Sequence, residues 1–388
     1  MNLGTSAEQQ ELRDAVRRFL AGRAPLPRVR ELMDTGSGAD PAVWQQVSEQ
    51  LGLPGIAIAE EHGGAGFTFA EQAIVLEETG AALYGGPYLA SAVLAATALT
   101  ASEDKAAMAD LLPGLAAGTT IGTLAFTEDD GSWDPGTGQL AAVRPGTGRP
   151  GTGRPGTGRA GGDGGWQLDG HKSFVLDGHT ADLILVTART AAGLTLFAVD
   201  AAAAGLTRTA LPTLDQTRKL ARLEFGAVPA RLVGTDGGAG PALAHTLDVA
   251  AIALAAEQLG GAQRALDMAV EYAKTRHQFG RAIGSFQAIK HRCADLLLEV
   301  ESLRSAVGFA AAAVADGSPE VPAVASLIKA YASDTFFHVA GENIQIHGGI
   351  GFTWEHDAHL YFKRAAASQL FLGDAAYHRE RLANRIGL

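Results

Sequence analysis

The sequence predicts an α+β multidomain chain: an N-terminal all-α domain over residues 1–120, a middle antiparallel β-domain over 121–235 and a C-terminal four-helix bundle over 236–388. Three observations predict it. Apolar residues recur at helical spacing through the first third, as at Leu12, Val16, Phe19 and Leu20. At Ile121 the pattern changes to short apolar runs cut by glycine and aspartate turns, the mark of strands. From Pro241 onward long helical stripes return.

In order along the chain, Ser6 is placed to cap a first helix, and further helical patterns occupy Pro41–Leu51, Thr68–Ala82 and Tyr88–Ala117. The strands are Thr123–Thr127, a long run from Gly165 to Gly178, then Asp182–Ala188, Leu194–Val199 and Arg222–Phe225. Between them, Arg-Pro-Gly-Thr-Gly repeats three times over 144–159. The repeat has no apolar side chain beyond proline, so it is expected to be a mobile loop that buries too little to offset its ordering. Gly146-Thr-Gly-Arg-Pro-Gly there spells G-x-G-x-x-G, yet no strand leads in and no helix follows, so it is not a nucleotide fingerprint. The bundle stripes run through Leu247 to Val270, Phe286 to Val307, Val324 to Val339 and Ala358 to Leu382, in up-and-down order.

With 388 residues, 47% of them hydrophobic, the chain can bury a large core. Its formal charge of −11 argues against nucleic acid, whose phosphates need a cationic face. Its one cysteine, Cys293, excludes an internal disulfide and suggests a reducing compartment. Met1–Leu20 lacks the basic-then-apolar layout of a secretory leader, and the most apolar run, Ala242–Leu259, is broken by His245, Asp248 and Glu257, so a cytoplasmic protein without a membrane span is expected. Glu355, His356 and His359 have metal-like spacing without a converging third group, so they read as a solvated helix surface and no metal is expected.

The stretch around which the rest is organised is Glu-Tyr-Ala-Lys-Thr-Arg-His-Gln-Phe-Gly-Arg-Ala-Ile-Gly-Ser-Phe-Gln, residues 271–287, a turn between two bundle helices in which Ser285 can cap the second. Arg276 offers a planar fork that grips a phosphate pair bidentately, and Phe279 a flat apolar surface. The string resembles the signature turn of the acyl-CoA dehydrogenase family, R-x-Q/T-F-G-x-x-I-x-x-F/H-Q, carried by Arg276, Gln278, Phe279, Ile283, Phe286 and Gln287. The resemblance extends across almost the whole chain. It implies the family's fold and a homo- or hetero-tetramer with FAD at subunit interfaces, this turn holding the pyrophosphate of a neighbour's FAD. Gln345-Ile346-His347-Gly348-Gly349 resembles the Q-x-x-G-G-x-G turn that meets the ADP half of that FAD. Phe126 and Thr127 stand where the family offers a strand end to the flavin ring, with Phe174 on the next strand.

Departures are as informative. Thr127-Glu-Asp-Asp-Gly-Ser132-Trp133-Asp134 has lost a proline and one residue from the family's T-E-P-x-x-G-S-D and gained a tryptophan, and Leu176 stands where a hydroxyl is usual. The Glu60–Phe67 loop resembles P-E-x-x-G-G-x-G with Ala59 for the proline. Its His62-Gly63-Gly64, repeated at His347-Gly348-Gly349, also resembles an esterase oxyanion loop, but the chain has no G-x-S-x-G elbow.

The implied reaction is α,β-desaturation of an acyl-CoA or related thioester, a carboxylate taking the α-proton, the β-hydrogen leaving as hydride to the flavin, and electrons passing on to an electron-transfer flavoprotein or similar acceptor. The family places that carboxylate at one of two positions, which here are Leu372 and Ala250. Three sources remain: Glu257, two turns beyond Ala250 on one helix face; Asp374, near Leu372; or another polypeptide. Some actinobacterial members are α2β2 assemblies in which one kind of subunit carries the base, and the Leu372-Gly-Asp-Ala-Ala-Tyr-His-Arg tail resembles the subunit without it.

Overall fold

A computed structural model describes residues 6–134, 138–144 and 165–388. All but the first residue of the Arg-Pro-Gly-Thr-Gly repeat lies outside the described residues.

The first third is helical. Helices α1 (Ala7–Arg23), α2 (Leu26–Met33), α3 (Pro41–Leu51) and α4 (Phe69–Ala81) come first. Ser6 caps α1 and Thr68 caps α4, each in a reciprocal box with the side chain three residues on, Gln9 and Glu71. The pattern from Tyr88 to Ala117 is not one helix. A wide-wound turn at Leu89–Ala95 leads into α5 (Ala96–Ala101), and the chain breaks at Glu103, whose φ is +55°, before α6 (Lys105–Ala116) starts on its Asp104 cap. Helix α2 escapes the sequence pattern because Pro25 and Pro27 punctuate it, although proline in a first turn suits a helix.

Seven strands follow among the described residues: β1 (Gly122–Ala125), β2 (Ala141–Val143), β3 (Trp166–Leu176), β4 (Leu183–Arg189), β5 (Leu194–Asp200), β6 (Leu206–Leu211) and β7 (Leu220–Val233). Strands β4, β2, β3, β7 and β5 close a ring, with β1 added on β4 and β6 on β7. Most pairs are antiparallel, but β1 and β2 each run parallel to β4. The interior is a separate apolar cluster centred on Phe197, Leu223 and Trp166.

The bundle is α7 (Ala239–Thr275), α8 (Gln287–Ala315), α9 (Val321–His347) and a fourth leg in two pieces, α10 (Ala358–Leu370) and α11 (Ala375–Ile386). Helix α7 is long and apolar enough to cross a membrane, but 67% of its most apolar stretch is buried inside the protein, where it packs on α4, α8 and α9. Helix α4 crosses it backbone to backbone: a Cβ on Gly260 would lie 1.7 Å from the Glu77 carbonyl oxygen and one on Gly80 1.9 Å from that of Glu257. The sequence pattern runs the fourth leg unbroken to Leu382. Instead it breaks at Phe371–Asp374, where Leu372 and Gly373 have φ of +63° and +98°.

Candidate functional site

Candidate residues gather at two places that α7 separates. At one, a cavity of about 330 Å³ is lined by Phe126, Trp133, Asp134, Ala244, Leu247, Leu372, Tyr377, His378 and Arg381. The flavin-edge candidate Phe126 and the base position Leu372 thus face one space. Trp133 bridges its walls, with ring centroids 5.8 Å from Phe126 and, edge-on, 5.3 Å from Phe371. Ala250 is fully buried in α7 and outside this lining.

The polar groups beside the cavity are bonded within the chain. Thr127 Oγ1 donates to the Ser173 carbonyl at 2.6 Å, and Ser173 N donates back to the Thr127 carbonyl at 2.9 Å. Lys172, 1% exposed, reaches the Phe126 carbonyl at 3.2 Å and pairs with Glu128 at 2.9 Å, and burial holds its pKa below the usual lysine range. Ser132 closes a small turn instead of facing the cavity: its N–H donates to Asp130 and its hydroxyl accepts from the Asp134 N–H. Phe174 has a φ of +57° and is partly exposed on β3.

Glu257 does not join this cavity. Its carboxylate pairs with Arg218 and, at 2.5 Å, with Arg364, in a buried cluster where Arg364 also grips Asp215 at 2.6 Å. Two guanidiniums face three carboxyls there, Asp177 being the third. Burial pushes the Asp177 carboxyl up to about 7. A carboxylate that neutralises two buried cations is not available to take a substrate proton, so the expectation for Glu257 is corrected. Asp374 is occupied too: its Oδ1 accepts from the Tyr377 N–H at 2.7 Å and caps α11.

The second place lies at the far end of α7, a rise of about 40 Å beyond Leu247 and farther than one dinucleotide spans. Arg276 is the first residue past the helix, exposed and in no ion pair among the described residues. Next comes a two-residue hairpin, β8 (His277–Gln278) and β9 (Arg281–Ala282), with Phe279 and Gly280 at its tip at φ of +53° and +75°. Both tip residues of such a hairpin need positive φ, which a phenylalanine adopts only at a cost, and here the ring is 92% exposed. Gln278 and Gln287 are exposed, Ile283 and Phe286 half-buried, and Arg281 lies 4.1 Å over the Phe286 ring. Ser285 does not cap α8; Phe286 holds that position without a side-chain bond. Tyr272 stacks on His347 at 4.3 Å, which ties this turn to the end of α9. There Gln345, Gly348 and Gly349 are exposed, and a Cβ on either glycine would meet nothing within 4 Å. Ile346 is buried in the core and takes no part in that surface.

One further expectation changes. His359 is buried beside Arg30 and Trp354, and His356 packs on His347, so neither forms a solvated surface. In the Glu60–Phe67 loop, Gly63 and Gly66 have positive φ, while Gly64 lets the backbone close on the Ile58 carbonyl, which a Cβ would approach to 2.0 Å. Arg218, Arg364 and Lys172 were missed. The available signal is a charged residue inside an apolar stripe, as Arg364 is.

Comparison with known proteins agrees with this architecture. Residues 6–119 match the acyl-CoA dehydrogenase N-terminal domain and 238–387 the acyl-CoA dehydrogenase C-terminal domain. The acyl-CoA dehydrogenase IpdE2 of Mycolicibacterium smegmatis is 35% identical over 97% of this chain and 98% of its own. Among solved structures, one chain of the ChsE4-ChsE5 complex from Mycobacterium tuberculosis superposes with a TM-score of 0.86 at 29% identity, covering 100% of this chain and 99% of that one. Butyryl-CoA dehydrogenase from Megasphaera elsdenii does so at 0.90 and 26%, covering 100% of both.

Proposed function

The chain belongs to the acyl-CoA dehydrogenase family of flavin-dependent oxidoreductases, and we propose that it serves as the subunit without a base in a heteromeric, FAD-dependent enzyme that desaturates an acyl-CoA thioester. The observation that carries this reading is the contrast between its two candidate sites. Of the two family base positions, Leu372 lines the cavity and is apolar, Ala250 is buried outside it, and the polar groups of Thr127, Lys172 and Ser173 are spent inside the chain. At the far end of α7 a guanidinium without an ion pair among the described residues, three exposed glutamines and two open glycines lie at the surface.

That far end fits a dinucleotide held by a neighbouring subunit. The Arg276 guanidinium would take the diphosphate bidentately, the Gly348 and Gly349 turn leaves backbone open to the ADP half, and Phe279 would lie against its flat surfaces. The bound flavin supplies the hydride acceptor for the β-hydrogen. This chain's part is to orient it and exclude water, while a carboxylate of the partner takes the α-proton. The ChsE4-ChsE5 neighbour is itself a complex of two chains, which agrees with a heteromer. Electrons would leave to an electron-transfer flavoprotein or similar acceptor. The esterase alternative lapses with the family.

Absorbance in the flavin bands tests this. The chain purified alone should carry little flavin and show little desaturase activity, and co-expression with an acyl-CoA dehydrogenase subunit that retains the acidic base should restore both. Arg276→Ala should lower flavin occupancy of that complex about tenfold, the loss of one bidentate charge-assisted contact. Full turnover by the isolated chain, abolished by Glu257→Gln, Asp374→Asn or Asp134→Asn, would overturn it.

A further inference from the structure

We propose that Lys329 and His378 are positioning residues that clamp the Phe371–Asp374 turn and so set the wall of the cavity facing Phe126. The functional weight of this proposal rests on the proposed function, in which the cavity where Leu372 faces Phe126 would take the thioester; the clamp itself does not.

Lys329 lies on α9 with no exposure at all. Its Nζ lies 2.9 Å from the Ser333 hydroxyl and 3.1, 3.3 and 3.0 Å from the carbonyls of Ser368, Gln369 and Gly373, which share its three N–H donors. The first two carbonyls belong to the last turn of α10, where helix acceptors lack an internal partner and the dipole favours a cation. No carboxylate bonds the amine among the described residues, so burial is uncompensated by an ion pair and pushes it down to about 7. An apolar side chain would fill this place in α9 at less cost. What the amine alone supplies is donors for the turn.

The turn needs them. Leu372 holds a φ of +63°, a conformation that is unfavourable for any side chain with a Cβ and persists only when its surroundings impose it. Gly373, at +98°, admits no Cβ, which would stand 2.3 Å from the Tyr377 ring. From the opposite side, His378 Nε2 donates to the Leu372 carbonyl at 2.8 Å. Burial pushes this imidazole down to about 4, which keeps it neutral. The amine and the imidazole thus hold consecutive carbonyls, those of Gly373 and Leu372. Phe371, next to them, meets Trp133 edge-on, so the position of the turn passes directly to the residue that bridges the cavity.

Amide exchange read by mass spectrometry on the full-length chain tests the clamp without any flavin. In Lys329→Met and in His378→Phe, peptides covering 370–378 should exchange at least about tenfold faster, while peptides from α7 and the middle of α9 keep their protection. The Trp133 contribution to the emission spectrum, obtained by difference from Trp133→Phe, should shift in the same variants. If Lys329→Met does not fold, His378→Phe alone carries the test. Unchanged exchange at 370–378, or an equal loss across the bundle, would overturn the proposal. Failure of a base-carrying partner subunit to restore flavin to the parent chain would count against the proposed function and leave this result standing.

Discussion

Among single residues, Glu257 and Asp177 answer opposite questions in one buried cluster. Glu257 compensates two buried guanidiniums, so Glu257→Gln removes a charge that both need. The expected loss is about 3 kcal/mol in urea denaturation, the cost of an uncompensated buried charge. Asp177 is the surplus carboxyl. Burial raises its folded pKa to about 7 from an ordinary value near 4. The folded state therefore binds more protons than the unfolded state between those values, and the contribution is fully present below about pH 4 and lost as pH rises to about 7. Asp177→Asn should flatten that slope and leave the protein more stable at pH 8 than the parent chain, with the side chain still suited to the positive φ at this position. A matched pair of pH-dependent melts checks both. Stabilisation by Glu257→Gln at neutral pH would mean that the cluster is balanced in some other way. None of this was legible in the sequence, where Glu257 was one acid on a helix face and its two arginines lay 39 residues before and 107 after it.

At the level of elements, the periodic patterns were readable and their interruptions were not. Apolar spacing located α3 to the residue and α4 within one at each end, because a buried stripe must recur every turn. It ran through the breaks at Glu103 and Leu372, since positive φ at a non-glycine residue leaves no mark in hydropathy. It also passed over Gly260, whose role shows only where α4 touches it. That contact makes a sharp prediction. A Cβ at Gly260 would stand 1.7 Å from the Glu77 carbonyl oxygen, which is backbone and cannot rotate away. Gly260→Ala must therefore push α4 off α7, and the gain in helix propensity of about 1 kcal/mol does not offset this. The expected net cost is about 2–3 kcal/mol, typical of overpacking in a rigid core. Gly240→Ala, in the first turn of the same helix where a Cβ would meet nothing within 4 Å, is the control and should be neutral or slightly stabilising.

For the whole molecule, the question is why so much apolar and aromatic surface stands in water. Phe279 is 92% exposed, Phe352 84% and Trp354 64%, all on the end of the bundle where Tyr272 and His347 join α7 to α9. Aromatic surface concentrated in this way is expected to be covered by another chain. The signature turn was readable from its resemblance to the family motif, but that it is raised on a two-residue hairpin and left uncovered was not, because exposure depends on what the rest of the fold fails to reach. The same end carries the proposed dinucleotide clamp, so assembly and flavin retention should fail together. Phe279→Asp combined with Phe352→Asp removes two rings that touch no core cluster. The melting temperature of the isolated chain should hold within a degree or two, since exposed substitutions rarely exceed 0.5 kcal/mol either way. Sedimentation of the co-expressed complex should show dissociation to smaller species, and the released flavin should appear in the filtrate. If the doubly substituted chain still assembles and retains flavin, the interface lies elsewhere, and the exposed turn at the end of α7 would need a different explanation from the one its arginine suggests.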